Sequence, residues 1–358
     1  MDQLTELLLG KYNERYNDYV RLCSIVQEEL KDILAQTEGN KAVISARVKS
    51  RQSVKDKLNR KSGKYRSISE MTDIVGLRVV CYFYDQVDQI ASIISSKYDI
   101  DKVNTVDKRV VIDPTTFGYV SLHYICSLPR GKGYPEELTD IKFEIQMRTM
   151  LQHTWAEIEH DFGYKSELAV PREVRRDFAR VASLLEIADG YFLSIKNRLK
   201  EYENTVCDSI KNDTADDMSL NRITLTEFIK SGKKMVDLNN DIAALSGAKL
   251  NEVPPDTYLP LLQFFNIDTI GDLKVFIDRR RDQALELAGK ILEGSEIEEL
   301  ISNVGLYYLC RSEIVYGDYD NLDVIKFCSL IYTKADRINS NAEYIMKLKE
   351  QAQNPDSK

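Results

Sequence analysis

The segment IKFEIQMRTMLQHTWAEIEHDFGYK, Ile141 to Lys165, changes period part-way along. Ile141, Phe143, Ile145 and Met147 alternate with Lys142, Glu144, Gln146 and Arg148, the period-2 pattern of a strand with one buried face. From Leu151 the spacing becomes helical. Leu151, Trp155, Ile158 and Phe162 form an apolar stripe, and His153, Glu157 and His160 fall on another face. A strand that presents a carboxylate and an arginine and turns directly into a polar-faced helix suits the wall of an anion site. It equally suits an amphipathic strand and helix with solvated faces.

Upstream, Arg47, Lys49, Arg51, Lys55, Lys57, Arg60, Lys61, Lys64 and Arg66 stand against the single acid Asp56. Such a cluster can offset the charge of a polyphosphate, or it can be a solvated basic helix face. Met71 to Tyr84, MTDIVGLRVVCYFY, reads as a strand buried on both faces, with Asp73 at its mouth and Arg78 inside. An arginine there needs an anion, either a ligand or a local carboxylate. Asp85 to Lys97 reads as an amphipathic helix and Lys108 to Ile112 as a strand. Pro114 to Ser127, PTTFGYVSLHYICS, opens as a turn and continues as another strand, placing Tyr119, Ser121 and His123 on one face. The loop Pro129 to Pro135 returns the chain to the segment quoted above.

The 358 residues allow two domains, and 43% hydrophobic with 30% charged residues is the balance of a globular protein. A net charge of -8 argues against a general nucleic-acid or membrane-coating role. No apolar run approaches the roughly 20 residues of a membrane span, and the N-terminal residues lack a signal-peptide layout, so a cytoplasmic location is expected. The six cysteines are scattered and never form CxxC, so they read as reduced, buried hydrophobes. Residues 4–34 read as one or two helices closed by Glu38-Gly39-Asn40. Val174, Phe178, Val181, Leu185, Ala188, Phe192 and Ile195 mark a long helix reaching Glu203. The polar stretch 204–221 is the expected linker between residues 1–203 and an all-α domain over 222–358, interrupted at Pro254-Pro255, Asn266-Ile267-Asp268 and Gly317-Asp318.

Asp73 and Glu144 on neighbouring strands match what Mg²⁺ takes from a protein: one or two carboxylates, with substrate phosphates and water completing its shell. Phosphoryl-type transfer follows as the reaction class. The sequence contains neither a P-loop motif nor a kinase-like glycine-rich loop.

Four motifs in register, RVKSRQSVKDK at Arg47–Lys57, TDIVGLRVV at Thr72–Val80, GYVSLH at Gly118–His123 and FEIQMRTMLQHTWAEIEHDFGYK at Phe143–Lys165, closely resemble the synthetase domain of RelA/SpoT-type alarmone synthetases. The resemblance covers residues 40–200 and implies an α+β fold, a mixed sheet flanked by helices and related to nucleotidyltransferases. It implies that Arg47 and Arg78 sandwich the ATP adenine, with Lys49, Ser53 and Lys57 at its phosphates. Asp73 would hold Mg²⁺, and Glu144 would complete the metal site or take the proton of the attacking 3′-hydroxyl. Tyr119 would stack on the acceptor guanine with His123 near its phosphates, and Gln146 and Arg148 line the same face.

The implied reaction moves the pyrophosphate of ATP to the 3′-hydroxyl of GDP or GTP, releasing AMP and giving (p)ppGpp, in a homo-oligomeric enzyme. Glu157 and His160 supply too few ligands for a transition-metal site. All three histidines lie in the synthetase region, so hydrolase activity is not expected. Phe117 stands where many guanosine-using members have Asn, and Val120 where they often carry Lys or Arg. The alternative acceptor is therefore the 3′-CCA end of tRNA, used by toxin-type members, with residues 222–358 as a control element. A non-catalytic nucleotide-binding protein is disfavoured, because it would not need both Asp73 and Glu144.

Overall fold

A computed structural model describes residues 3–35, 41–107, 121–161, 171–292, 295 and 297–353. The chain divides into two compact units, Met1–Asn197 and Arg198–Lys358.

The first unit starts with helices α1 (Gln3–Glu14) and α2 (Tyr16–Ala35), followed by strand β1 (Val43–Val48) and helix α3 (Arg51–Arg60). Ser50 caps α3 by accepting a hydrogen bond from the Ser53 amide at 3.2 Å, so the basic cluster is partly a capped helix. Next come β2 (Val75–Cys81), α4 (Tyr84–Lys97), the short strands β3 (Asp99–Ile100) and β4 (Val106–Asp107), and β5 (Leu122–Ser127). A turn of helix, α5 (Glu136–Thr139), precedes β6 (Phe143–Thr149), which passes directly into α6 (Met150–Asp161).

The sheet order is β1-β2-β6-β5-β3, with β4 beside β5. β2 and β6 run parallel, while β1–β2 and β5–β6 are antiparallel, so the sheet is mixed, as the resemblance implies. Strand alternation sorts the side chains. Leu77, Val79, Phe143, Ile145 and Met147 are buried in one cluster with Leu9, Leu22, Val26 and Leu30 of α1 and α2. The opposite face carries Arg47, Gly76, Arg78, Glu144, Gln146 and His123 in adjoining register.

Two sequence expectations change here. β2 is buried on both faces only from Val79 to Cys81; at its start Gly76 and Arg78 are half-exposed, so Arg78 is not a core arginine. On α6 the fully buried residues are Gln152 and Trp155, while Ile158 is exposed. The strand at 108–112, the start of the Pro114–Ser127 segment and the turn at 38–40 lie outside the described residues.

Helix α7 (Arg172–Lys211) runs eight residues past the expected end at Glu203. Its apolar spacing specifies a helix without specifying a buried face: Val174, Val181, Phe192 and Ile195 are exposed. The second unit adds α8 (Arg222–Ser231), α9 (Lys233–Ala244), β7 (Lys249–Asn251), α10 (Tyr258–Phe264), α11 (Ile270–Leu292), β8 (Glu299–Ile301), α12 (Val304–Tyr316), α13 (Asn321–Ile331) and α14 (Ala335–Gln353). It is helical as expected, with the addition of a two-stranded parallel sheet, β7–β8. The breaks fall at or beside the predicted residues, including Asn266 in the left-handed region at φ +56°.

Val206, Ile210 and Ala215 are buried in this unit's core with Phe228, Leu238 and Phe276. The stretch 204–221 is therefore not a linker, and the division falls earlier, at Asn197/Arg198. Polar residues around those three hid the buried positions. The cysteines are free, and five of the six are buried. Among the described residues, no helix is long and apolar enough to cross a membrane.

Candidate active site

The polar sheet face borders an open cavity of about 160 Å³ lined by Ser45, Arg47, Lys49, Asp73, Arg78, Glu144 and Gln146, among others. Register explains the gathering. Arg47 of β1 lies opposite Gly76 of β2, and Gly76 lies opposite Glu144 of β6. The next row places Ser45, Arg78, Gln146 and His123 side by side across four strands. A residue without a side chain between Arg47 and Glu144 leaves that part of the face open.

Asp73 stands just before β2. Its Oδ2 accepts from Lys49 Nζ and Lys57 Nζ, each at 2.6 Å. Burial pushes the carboxyl pKa up, but the two ammonium groups outweigh it and hold Asp73 below its usual range. Burial lowers the Lys49 pKa despite the same pairing, the larger effect for that partly enclosed ammonium. Asp73 Oδ1 is buried and accepts no hydrogen bond from the described residues. Two cations therefore converge on one oxygen, while the other has no partner among the described residues.

Glu144 is fixed at both oxygens. His123 Nδ1 lies 2.8 Å from Oε1, and Gln146 Nε2 donates to Oε2 at 2.9 Å. Burial raises its pKa, and the His123 and Gln146 contacts reverse the shift, leaving Glu144 below its usual range. His123 Nε2 in turn lies 2.6 Å from Ser121 Oγ. These contacts orient both the carboxylate and the imidazole.

At the far side, Arg78 Nη1 donates to Glu157 Oε1 of α6 at 2.8 Å. The same oxygen lies 3.9 Å from Arg148 Nη2 and 3.6 Å from His153 Nδ1. Arg148 is only 5% exposed, and its Nε has no acceptor among the described residues. Burial first, then Arg78 and Arg47, bring its pKa down to about 10. Burial and the same side's Arg148 and Arg78 also lower that of His153.

The structure thus gathers Arg47, Lys49, Asp73, Arg78, Glu144 and Gln146 at one cavity, with Lys57 joined through Asp73 and His123 through Glu144. Ser53 sits on the exposed N-terminal turn of α3 and does not line the cavity. Arg148 is enclosed beside Glu157 rather than lining the cavity. Tyr119, Phe117 and Val120 lie outside the described residues. His160 is exposed, its Nδ1 3.8 Å from Asp161 Oδ1.

Glu157 is the member that sequence reasoning left out of the site. Its spacing with His153 placed both on one helix face, but period alone cannot reveal an arginine arriving from another strand. Among the described residues, no group of three or more histidine, cysteine or carboxylate side chains could hold a metal. Two carboxylates at one cavity, one with an oxygen unpartnered among the described residues, fit Mg²⁺, which needs few protein ligands when phosphates supply others.

The region described as found in RelA / SpoT proteins matches residues 46–169, which span β1 to α6 and hence every cavity-lining residue except Ser45. GTP pyrophosphokinase YwaC of Bacillus subtilis (strain 168) is 30% identical over 158 residues, covering 43% of this chain and 73% of that protein. The chain belongs to the RelA/SpoT family. GTP pyrophosphokinase YjbM of the same organism is 28% identical over 158 residues, covering 44% of this chain and 73% of its own. The crystal structure of small alarmone synthetase 1 from Bacillus subtilis has a TM-score of 0.45 at 25% identity, covering 54% of this RelA/SpoT family member and 99% of that chain.

Proposed function

We propose that this RelA/SpoT family member transfers the β,γ-pyrophosphate of ATP to the 3′-hydroxyl of GDP or GTP, forming (p)ppGpp and releasing AMP. The observation that carries the reading is the pairing of Asp73 and Glu144 at one cavity with Arg47, Lys49 and Arg78 on its walls. This arrangement can bind a polyphosphate and neutralise its charge, the principal demand of phosphoryl-type transfer.

In the reaction, the acceptor 3′-hydroxyl releases its proton to solvent as its oxygen bonds to the β-phosphorus, the bond from that phosphorus to the oxygen bridging it to the α-phosphate breaks, and AMP leaves with that oxygen. Arg47 and Arg78 hold the donor base, and Lys49 and Lys57 face its phosphates from their positions around Asp73. The cationic side chains keep the donor phosphates in line with the acceptor. His123 and Gln146 keep the Glu144 carboxylate oriented toward the cavity and ionised.

Asp73 and Glu144 would hold Mg²⁺. Bound there, the ion supplies charge neutralisation on the phosphate oxygens. His123 and Gln146 each contact one Glu144 oxygen, which keeps the carboxylate charged and oriented for a cation. Tyr119 is assigned to the acceptor base on the family motif alone.

The test offers purified protein, Mg²⁺ and ATP labelled at its β-phosphate to GDP, GTP and deacylated tRNA in parallel. Label in a guanosine tetra- or pentaphosphate supports the reading. Label on tRNA alone replaces it with the toxin-type reaction, and absence of transfer to all three acceptors overturns it.

A further inference from the structure

We propose that Glu157 is a positioning residue for the donor nucleotide. Its carboxylate fixes the Arg78 guanidinium at the cavity wall and offsets the crowding of Arg78 and Arg148. The inference rests on the pyrophosphate-transfer reading, but its binding arm can be read independently of turnover.

Arg78 and Arg148 project from the same face of neighbouring parallel strands, Arg78 opposite Gln146 and Arg148 opposite Val80. Two guanidiniums so placed repel, and after burial the Arg78 charge is the next cause of the lowered Arg148 pKa. Arg148 is enclosed, at 5% exposure, and cannot swing into water. Arg78 is half-exposed and is therefore the one that would move.

Glu157 opposes that movement. One oxygen is hydrogen-bonded to Arg78 Nη1 at 2.8 Å and lies 3.9 Å from Arg148 Nη2. The contact tethers Arg78 from the helix side while its strand fixes the backbone. A guanidinium used to stack on a base must present its plane, and a bond at one terminal nitrogen restricts that rotation. A tether made before the ligand arrives also reduces the ordering cost of binding.

The surroundings exclude simpler roles. Glu157 does not line the cavity, so it is not placed to ligate the phosphate-bound metal or to take the acceptor proton. Its side chain is 51% exposed, and an ion pair at such a surface contributes little to folding. The consequence of losing it therefore falls on ligand binding.

The experiment compares wild type, Glu157→Ala, Glu157→Asp, Arg78→Ala and the double alanine variant by steady-state kinetics and by calorimetric titration with a non-hydrolysable ATP analogue. Glu157→Ala is expected to raise the ATP KM and analogue Kd about tenfold, with kcat and the acceptor KM unchanged within about twofold. Glu157→Asp should recover part of the loss, and adding Glu157→Ala to Arg78→Ala should have no further effect. Unchanged analogue binding in Glu157→Ala, a fall in kcat at constant ATP KM, or full additivity in the double variant would each overturn the assignment. If wild type binds the analogue but transfers label to none of the acceptors, the reaction reading fails, while the analogue titrations still decide the role of Glu157.

Discussion

Replacing Asp73 by asparagine probes both the architecture and the chemistry of the cavity. In the folded protein two ammonium groups, 17% and 16% exposed, share one carboxylate oxygen at 2.6 Å each. The amide introduced by Asp73→Asn would keep an acceptor oxygen but lose the charge that holds the lysines together. Since both nitrogens touch the same atom, they lie within roughly 5 Å of each other, where like charges repel by about 3 kcal/mol at an effective dielectric of about 20. Relaxation of the lysine stems relieves some of this, and the retained amide oxygen some more. A net destabilisation of about 2–3 kcal/mol at neutral pH follows, below the range for breaking a fully buried pair. For a unit of this size it corresponds to a fall in Tm of roughly 5–10 °C.

The pH dependence has a definite sign. Asp73 is depressed in the folded state, so its contribution is present above the unfolded carboxyl pKa of 3.8 and is lost as pH falls through the lower folded value. The gap between wild type and variant should therefore close in acid. Thermal unfolding followed by circular dichroism from neutral pH to about pH 3, beside the β-phosphate transfer assay, measures both consequences. A variant as stable as wild type at neutral pH would refute the charge argument. Retained transfer with an unchanged magnesium requirement would refute Asp73 as a metal ligand.

Glu144→Gln should reduce transfer by at least about a thousandfold while leaving binding of an ATP analogue measurable, because the amide preserves shape and removes the charge; near-normal turnover in the labelled assay would count against Glu144. Val206→Asp should destabilise the second unit by about 3 kcal/mol or more, since the side chain it replaces is fully buried. Chemical denaturation would settle this, and a neutral effect would restore the reading of residues 204–221 as a linker.

The alternation from Ile141 to Arg148 was sufficient to define a strand with Glu144, Gln146 and Arg148 on one face, because side chains on a strand alternate by geometry alone. The change of period at Leu151 likewise located the following helix. The motif series singled out Asp73, Arg78 and His123 before any strand order was known. Legibility was poorest where composition and burial disagree. Val206 and Ile210 are hidden among polar neighbours, and the exposed stripe of α7 has the spacing of a core helix without its burial.

By itself, the sequence determined the family, the identity of the charged groups and the local periods of the segments carrying them. Those properties are encoded in residue type and spacing. Only the tertiary structure decided which groups meet. Strand order and register set Glu144 beside His123, brought Lys49 and Lys57 to one oxygen of Asp73, and joined Arg78 of β2 to Glu157 of α6 across 79 residues. Hydrogen bonds and charge pairing act over a few ångströms, so partners distant in the chain become specific only when the sheet aligns them.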